Sequence, residues 1–223
     1  MSANPLRDYF EHNNGKLIHK WVHYFDIYHY HFKKYRKKRI TVLEFGVFQG
    51  GSLQMWRKYF GHKARIIGVD INPKCKNLKE KGIEIFIGDQ EDRVFLKELI
   101  QKIGNIDIVI DDGGHTMKQQ INSFEELFPH VNDGGVYLVE DLHTSYWNDY
   151  QGGYHTKGTF IEYAKQLIDD IHAWHSRDPK KFKVNNYTTT IKAMHIYDSI
   201  IVFEKGKVTE PHHEMTGHET IGF

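Results

Sequence analysis

Five short apolar runs, each carrying an acidic residue at or near its carboxyl end, constrain this chain more than any other feature. They are Ile40–Phe45, Ala64–Asp70, Ile83–Ile87, Ile106–Asp111 and Gly135–Glu140. Most are nearly continuous rather than alternating, which is the pattern of strands buried on both faces. Between them lie stretches with helical character at Ser52–Phe60, just after Asn72-Pro73, at Glu91–Lys102 and at Lys118–Pro129, with Ser52 placed as an N-cap. Strand and helix in alternation predict an α/β fold: a Rossmann-like, mostly parallel sheet with helices on both faces. After Glu140 the rhythm changes. Asp141 to Lys157 is aromatic and aperiodic and reads as a functional loop. Phe160–Trp174 reads as a helix, and Phe182–Thr190 and Met194–Lys205 as two β-rich stretches. So short a connection permits only an antiparallel pair, so the sheet should finish in a C-terminal antiparallel hairpin.

Ahead of the first strand, Leu17 to Tyr35 has the apolar spacing of a helix with a broad buried face. With 223 residues, 39% of them hydrophobic and 26% charged, the chain can bury a real core. A formal charge of +1 provides no whole-chain field toward nucleic acid or anionic membrane. No apolar run approaches the roughly 20 residues of a membrane span, and no apolar segment resembling a secretory signal follows Met1. The single cysteine, Cys75, excludes an internal disulfide. The expectation is a soluble, cytoplasmic protein. Six of the seven residues Lys33–Arg39 are basic, and removing them would take the net charge from +1 to −5. That run is either a solvated helix end or a patch for a phosphate-bearing or acidic partner. Sixteen histidines are scattered along the chain.

The first strand meets the first helix at Glu44-Phe-Gly46-Val-Phe-Gln-Gly50-Gly51. Glycines there allow close approach of a ligand to backbone, and the crevice of such sheets lies outside the carboxyl ends of the strands. Asp70 ends the second strand, where a carboxylate could accept both ribose hydroxyls. Asp89, after the third, could reach an adenine edge. The spacing is not the G-x-G-x-x-G of a dinucleotide site, which argues against a nicotinamide-dependent reductase. Asp111-Asp112-Gly113-Gly114-His115 ends the fourth strand and Glu140-Asp141 the fifth. If these strands are parallel neighbours, Asp112, Glu140 and Asp141 converge, and an all-oxygen set selects a hard cation, Mg²⁺ before Mn²⁺ or Ca²⁺. Successive strand residues point to opposite faces, so Glu140 and Asp141 can share one ion only if the chain leaves strand geometry there. His115 is placed to act as a general base beside such an ion, or as a ligand favouring a transition metal.

Taken together, these segments resemble the class I S-adenosylmethionine-dependent methyltransferases, and more closely the metal-dependent sugar O-methyltransferases of macrolide biosynthesis. The resemblance rests on His19-Lys20-Trp21-Val22-His23-Tyr24, Leu43-Glu44-Phe45-Gly46-Val47, Gly50-Gly51-Ser52-Leu53-Gln54-Met55-Trp56, Gly68-Val69-Asp70-Ile71, Gly88-Asp89-Gln90, Asp111-Asp112-Gly113-Gly114-His115 and Val139-Glu140-Asp141 with the aromatic residues beyond. It implies an N-terminal helical segment at 1–39, a methyltransferase domain at 40–209 and a C-terminal tail at 210–223. It implies that Glu44, Gly46, Ser52, Asp70, Asp89 and Asp111 surround S-adenosylmethionine, that Asp112, Glu140 and Asp141 hold Mg²⁺, and that His115, with Asp112, is catalytic. Gly114 stands where relatives often carry Ser. Larger relatives carry an additional N-terminal domain that shapes assembly and substrate pocket, so neither carries over. The expected reaction is in-line methyl transfer to a hydroxyl of a sugar or glycosylated small molecule. Alternatives are a catechol- or phenol-type O-methyltransferase and a non-catalytic S-adenosylmethionine-binding protein. The expected partner is a small hydroxylated acceptor, with no nucleic acid or membrane; a homo-oligomer is compatible with the sequence. Tyr146, Trp147, Tyr150 and Tyr154 would either stack on a sugar face or simply pack.

Overall fold

In the computed structural model, which describes residues 4–221, the apolar runs form strands β1 (Thr41–Phe45), β2 (Arg65–Asp70), β3 (Ile83–Ile87), β4 (Ile106–Asp111) and β5 (Val131–Val139). Two further strands follow, β6 (Ile191–Tyr197) and β7 (Ile200–Lys205). One seven-stranded sheet results, in the order β3-β2-β1-β4-β5-β7-β6, with β1 to β5 parallel and β7 antiparallel to both its neighbours. The strand order reverses at β1 and β4, and the crevice of such a sheet opens beyond the carboxyl ends of those strands.

The helices are α1 (Pro5–Glu11), α2 (Tyr24–Phe32), α3 (Gly51–Phe60), α4 (Arg93–Ile103), α5 (Met117–Leu127), α6 (Phe160–Ile171) and α7 (Asn186–Thr190). Successive strand residues face opposite ways, so the sheet feeds two cores. Val42, Ile66, Ile108 and Leu138 pack with Tyr28, Phe32 and Trp56 from α2 and α3. Leu43, Ile67, Val109 and Val139 pack with Leu96, Phe124 and Phe160 from α4, α5 and α6. Each fully buried aromatic or aliphatic side chain contributes about 1.5–3 kcal/mol relative to exposure. Burial of both sheet faces therefore outweighs local propensity in specifying the fold.

Three boundaries differ from expectation. The helix expected over Leu17–Tyr35 is α-helical only from Tyr24 to Phe32, with a 3₁₀ turn after it at Lys33–Tyr35. Leu17, Trp21 and Val22 have no core to face and are more than half exposed. The segment instead runs irregularly against the start of α3. A Cβ on Gly51 would come within 2.4 Å of the carbonyl oxygens of Lys16 and Leu17, so a larger residue would push the two segments apart. Ser52 is not the N-cap of α3. That place falls to Gly50, at φ 79°, and Ser52 lies one residue inside the helix. The β-rich reading of Phe182–Thr190 gives way to α7, whose start is fixed by an Asn185–Thr188 capping box. The hairpin is formed within the second stretch, extended back to Ile191, with Ser199 turning at φ 63°. Residues 210–221 of the expected tail form no helix or strand, and 222–223 lie outside the described residues, as do 1–3 at the other end. No described helix is long and apolar enough to cross a membrane.

Candidate active site

The register places the two acidic strand ends side by side. Asp111 pairs with Val139, and the Glu140 N–H donates to the Asp111 carbonyl at 2.9 Å. The chain then leaves strand geometry as the sequence required: Asp141 has φ 54° and ψ 37°. His115 is also left-handed, at φ 58°. Both are uncommon for residues with a side chain, and strain of this kind concentrates at functional sites. Asp112, His115 and Asp141 thereby converge, with one donor atom from each lying within 4.8 Å of the others. His115 Nε2 is 3.5 Å from Asp141 Oδ2 and 3.8 Å from Asp112 Oδ1, while its buried Nδ1 has no partner. The Tyr24 hydroxyl at the start of α2 donates to Asp141 Oδ1 at 2.7 Å.

Glu140 is turned to a different partner, Lys20. The ammonium of this residue, its side chain only 3% exposed, lies 3.0 Å from Glu140 Oε2 and 3.5 Å from Glu44 Oε1. It also donates to Asp112 Oδ2. Burial alone would lower the pKa of this lysine, but Asp112, Glu140 and Glu44 outweigh it and hold the group well above the usual lysine range. One cation cannot satisfy so many acids. Burial, then repulsion from Asp112, pushes Glu140 well above the usual carboxylate range despite Lys20. Burial likewise raises Asp112 and Glu44. The site therefore has more carboxyl groups than one ammonium can neutralise, hard oxygen donors, and a histidine whose Nε2 faces Asp112 and Asp141. That combination suits a divalent cation.

The residues expected around a cofactor divide into two groups. Gly46 and Asp70 line a narrow cleft of about 160 Å³ beyond β1 and β2, with Ile71, Gly88 and Gln90. Asp70 Oδ2 accepts from the N–H groups of Val47 and Phe48 at 2.9 and 3.1 Å, fixing the glycine loop. Glu44, Ser52, Asp89 and Asp111 are not on the lining of the cleft. Glu44 is fully buried and accepts from Ser52 Oγ at 2.7 Å and Trp56 Nε1 at 3.0 Å. Asp89 accepts from the Glu91 N–H, closing its own turn. Asp111, also fully buried, accepts from Gln90, Ser123 and Tyr137. Burial raises its pKa to about 6, with those donors opposing the shift.

Gln90 and Gln119, both on the cleft wall, were not singled out in the sequence. Nor was Lys20, although its segment carried part of the family resemblance. A second cavity, of about 570 Å³, opens over the carboxylates, bordered by His19, Trp21, Tyr24 and His143. Trp21 and Trp147 stand on either side of His143, with ring centroids 5.8 and 4.6 Å from it.

The strand order β3-β2-β1-β4-β5-β7-β6, with β7 antiparallel between β5 and β6, is that of the class I methyltransferase fold. Residues 43–142 match the family described as methyltransferase domain. Residues 43–142 are therefore a methyltransferase domain, and the chain as a whole resembles the macrolide-sugar O-methyltransferases. It is 37% identical over 83% of its length to the 8-demethyl-8-alpha-L-rhamnosyl tetracenomycin-C 2'-O-methyltransferase of Streptomyces olivaceus, covering 51% of that protein. It is 35% identical over 94% of its length to the demethylmacrocin O-methyltransferase of Streptomyces fradiae, covering 55%. A methyltransferase from the mycinamycin biosynthetic pathway, solved with Mg and SAH, superposes with a TM-score of 0.80 at 33% identity, over 92% of this chain and 54% of that one. The chain spans about half the length of the curated relatives it matches.

Proposed function

We propose that this chain is the catalytic part of a divalent-cation-dependent O-methyltransferase that transfers the methyl group of S-adenosylmethionine to a hydroxyl of a sugar or glycosylated small molecule. The observation that carries this reading is the convergence of Asp112, His115 and Asp141 within 4.8 Å, with Asp112 and Asp141 bordering the larger cavity. A divalent cation bound there would stabilise charge developing on the acceptor oxygen, while S-adenosylmethionine supplies the methyl.

The chain's own residues do the rest. Asp112 and Asp141 are the proposed holders of the cation, with Glu140 in reserve behind Lys20. Asp70 and the Gly46 loop are assigned to the cofactor side, with Gln90 as a newly recognised neighbour on that wall. Glu44, Ser52, Asp89 and Asp111 are assigned the task of holding that wall in shape. As the new C–O bond forms and the C–S bond breaks, the hydroxyl proton passes to His115 Nε2, the ring nitrogen that faces the carboxylates. The large cavity bordered by Trp21 and Tyr24 provides the acceptor side, and aromatic faces of this kind suit the C–H faces of a sugar ring.

Several features support the sugar over a catechol acceptor: the size of the open cavity, its aromatic rim, and the relatives named as sugar O-methyltransferases. The test is transfer of a labelled methyl group to matched panels of deoxysugar glycosides and catechols, with and without a chelator. Glycoside labelling that disappears with chelation supports the reading. Labelling of catechols alone, or undiminished labelling in chelator, overturns it.

A further inference from the structure

A second convergence of metal-ligating side chains lies away from the cleft, where α2 crosses the terminal hairpin. His31, His195 and Glu204 each offer one donor atom within 4.8 Å of the others. They come from three elements. His31 is in the last turn of α2, His195 on β6 and Glu204 on β7. His195 pairs across the hairpin with Val202, two residues before Glu204, so all three side chains on the hairpin share one face. Val202 belongs to the core that α2 covers, which places that face under His31.

We propose that His31, His195 and Glu204 form a binding site for a borderline transition-metal ion, Zn²⁺ foremost, that fastens α2 to the hairpin. Two imidazoles and one carboxylate are a recurrent donor set for Zn²⁺, and the absence of a thiolate or an all-oxygen shell argues against Cu⁺ and Mg²⁺ alike. His31 is buried, and burial together with His195 and Lys34 lowers its pKa to about 4 against the opposing pull of Glu204. At neutral pH its ring is therefore uncharged, which is the ligating form. The Tyr197 hydroxyl, 2.9 Å from His31 Nε2, fixes the ring in place. His195 Nε2 and Glu204 Oε1 already approach to 3.1 Å. A tetrahedral ion with bonds of about 2.0–2.1 Å needs its donors roughly 3.4 Å apart, so the group adjusts as the ion binds. The partly exposed His195 and Glu204 side chains, at 32% and 26%, have the freedom to do so.

The position gives such an ion leverage on the catalytic side. α2 begins with Tyr24, which holds Asp141. The hairpin turn holds the loop after β5, with the Ser199 carbonyl accepting from the Leu142 N–H and Ser199 Oγ 2.5 Å from His143 Nδ1. An ion at the far end of α2 would lock both supports together.

The site is tested in a chain carrying Asp112→Asn and Asp141→Asn, which removes the two carboxylates that converge with His115. After stripping with a chelator, Co²⁺ is titrated by its visible absorption and Zn²⁺ by competition calorimetry. The expected result is one bound equivalent that is lost in His195→Ala and in the more conservative Glu204→Gln. Tyr197→Phe, which removes the group orienting His31, should weaken binding by about 10–100-fold. Zn²⁺ should raise the melting temperature of the parent but not of either ligand variant. The absence of any bound equivalent overturns the site. So does binding that persists unchanged in both ligand variants, because the metal then resides elsewhere, for example at His212 and His213 of the tail.

Discussion

Lys20 Nζ lies 3.0 Å from Oε2 and 3.2 Å from Oε1 of Glu140, across 120 positions of sequence, with both side chains buried. The lysine is the built-in counter-charge of the carboxylate cluster. Removing one member of a buried ion pair typically costs about 3–5 kcal/mol, because the partner is left uncompensated. Lys20→Met should therefore lower stability by that order in urea denaturation. Added Mg²⁺ should restore more stability to the variant than it adds to the parent. Equal stability of the two proteins would show that the ammonium neutralises nothing.

Chelation should abolish methyl transfer while leaving S-adenosylhomocysteine binding nearly intact, since the cofactor side and the carboxylates lie on different walls. Asp112→Asn should behave alike. Calorimetry with the nucleoside product, run beside the activity assay, separates the two effects. A parallel loss of both would mean that Asp112 shapes the cofactor cleft instead.

His115→Ala should slow transfer by roughly 10²–10⁴, the range for a positioned base. The acceptor KM should change far less than kcat, because the ring faces Asp112 and Asp141 rather than the aromatic rim. A rate equal to the parent's would assign the proton to another group.

Asp111 makes stability pH-dependent in a direction opposite to the usual surface aspartate. Burial raises its folded-state pKa from 3.8 to about 6. Between those values the folded protein binds more protons than the unfolded chain, so this group's contribution falls as pH rises from about 4 to about 6. The loss is on the order of 3 kcal/mol at most. Asp111→Asn should flatten that portion of the stability–pH curve. An unchanged slope would mean that Gln90, Ser123 and Tyr137 stabilise the anion fully.

Gly46→Ala should fail as a methyltransferase and lose stability. Its φ is 85°, and a Cβ there would fall 1.9 Å from the Asp112 carbonyl oxygen. The β1 loop would have to move away from β4, opening the cleft and displacing Asp112 together. Gly104→Ala, also at positive φ but with open space around it, is the control for backbone strain alone. Equal losses in the two variants would remove the contact from the explanation.

Much of the fold could be read from periodicity. The β1–β5 runs and the helices between them are local patterns, and their alternation leaves few ways to bury both sheet faces. The approach of Asp112 to Asp141 was legible because acidic residues at strand ends accumulate at one edge of a parallel sheet, whereas the pairing of Glu140 with Lys20 was not. The errors arose where burial had to be inferred. Leu17, Trp21 and Val22 keep helical spacing yet stay exposed, and Phe182–Thr190 has β-forming residues but an Asn185–Thr188 capping box that starts a helix there. Ser52 looked like a cap, and its hydroxyl is instead committed to Glu44 across the turn.

By itself, the chain's order of residues determined a mostly parallel sheet with glycines and carboxylates at its strand ends, because those features follow from local periodicity and from strand alternation. Only the tertiary structure decided that Lys20 gathers Glu44, Asp112 and Glu140 while Asp141 turns to Tyr24, that Asp111 and Glu44 are fully buried, and that His31 meets His195 and Glu204. Each of those outcomes depends on which distant segments share a buried volume, and the energy of a charge is set by that surrounding volume rather than by its neighbours in sequence.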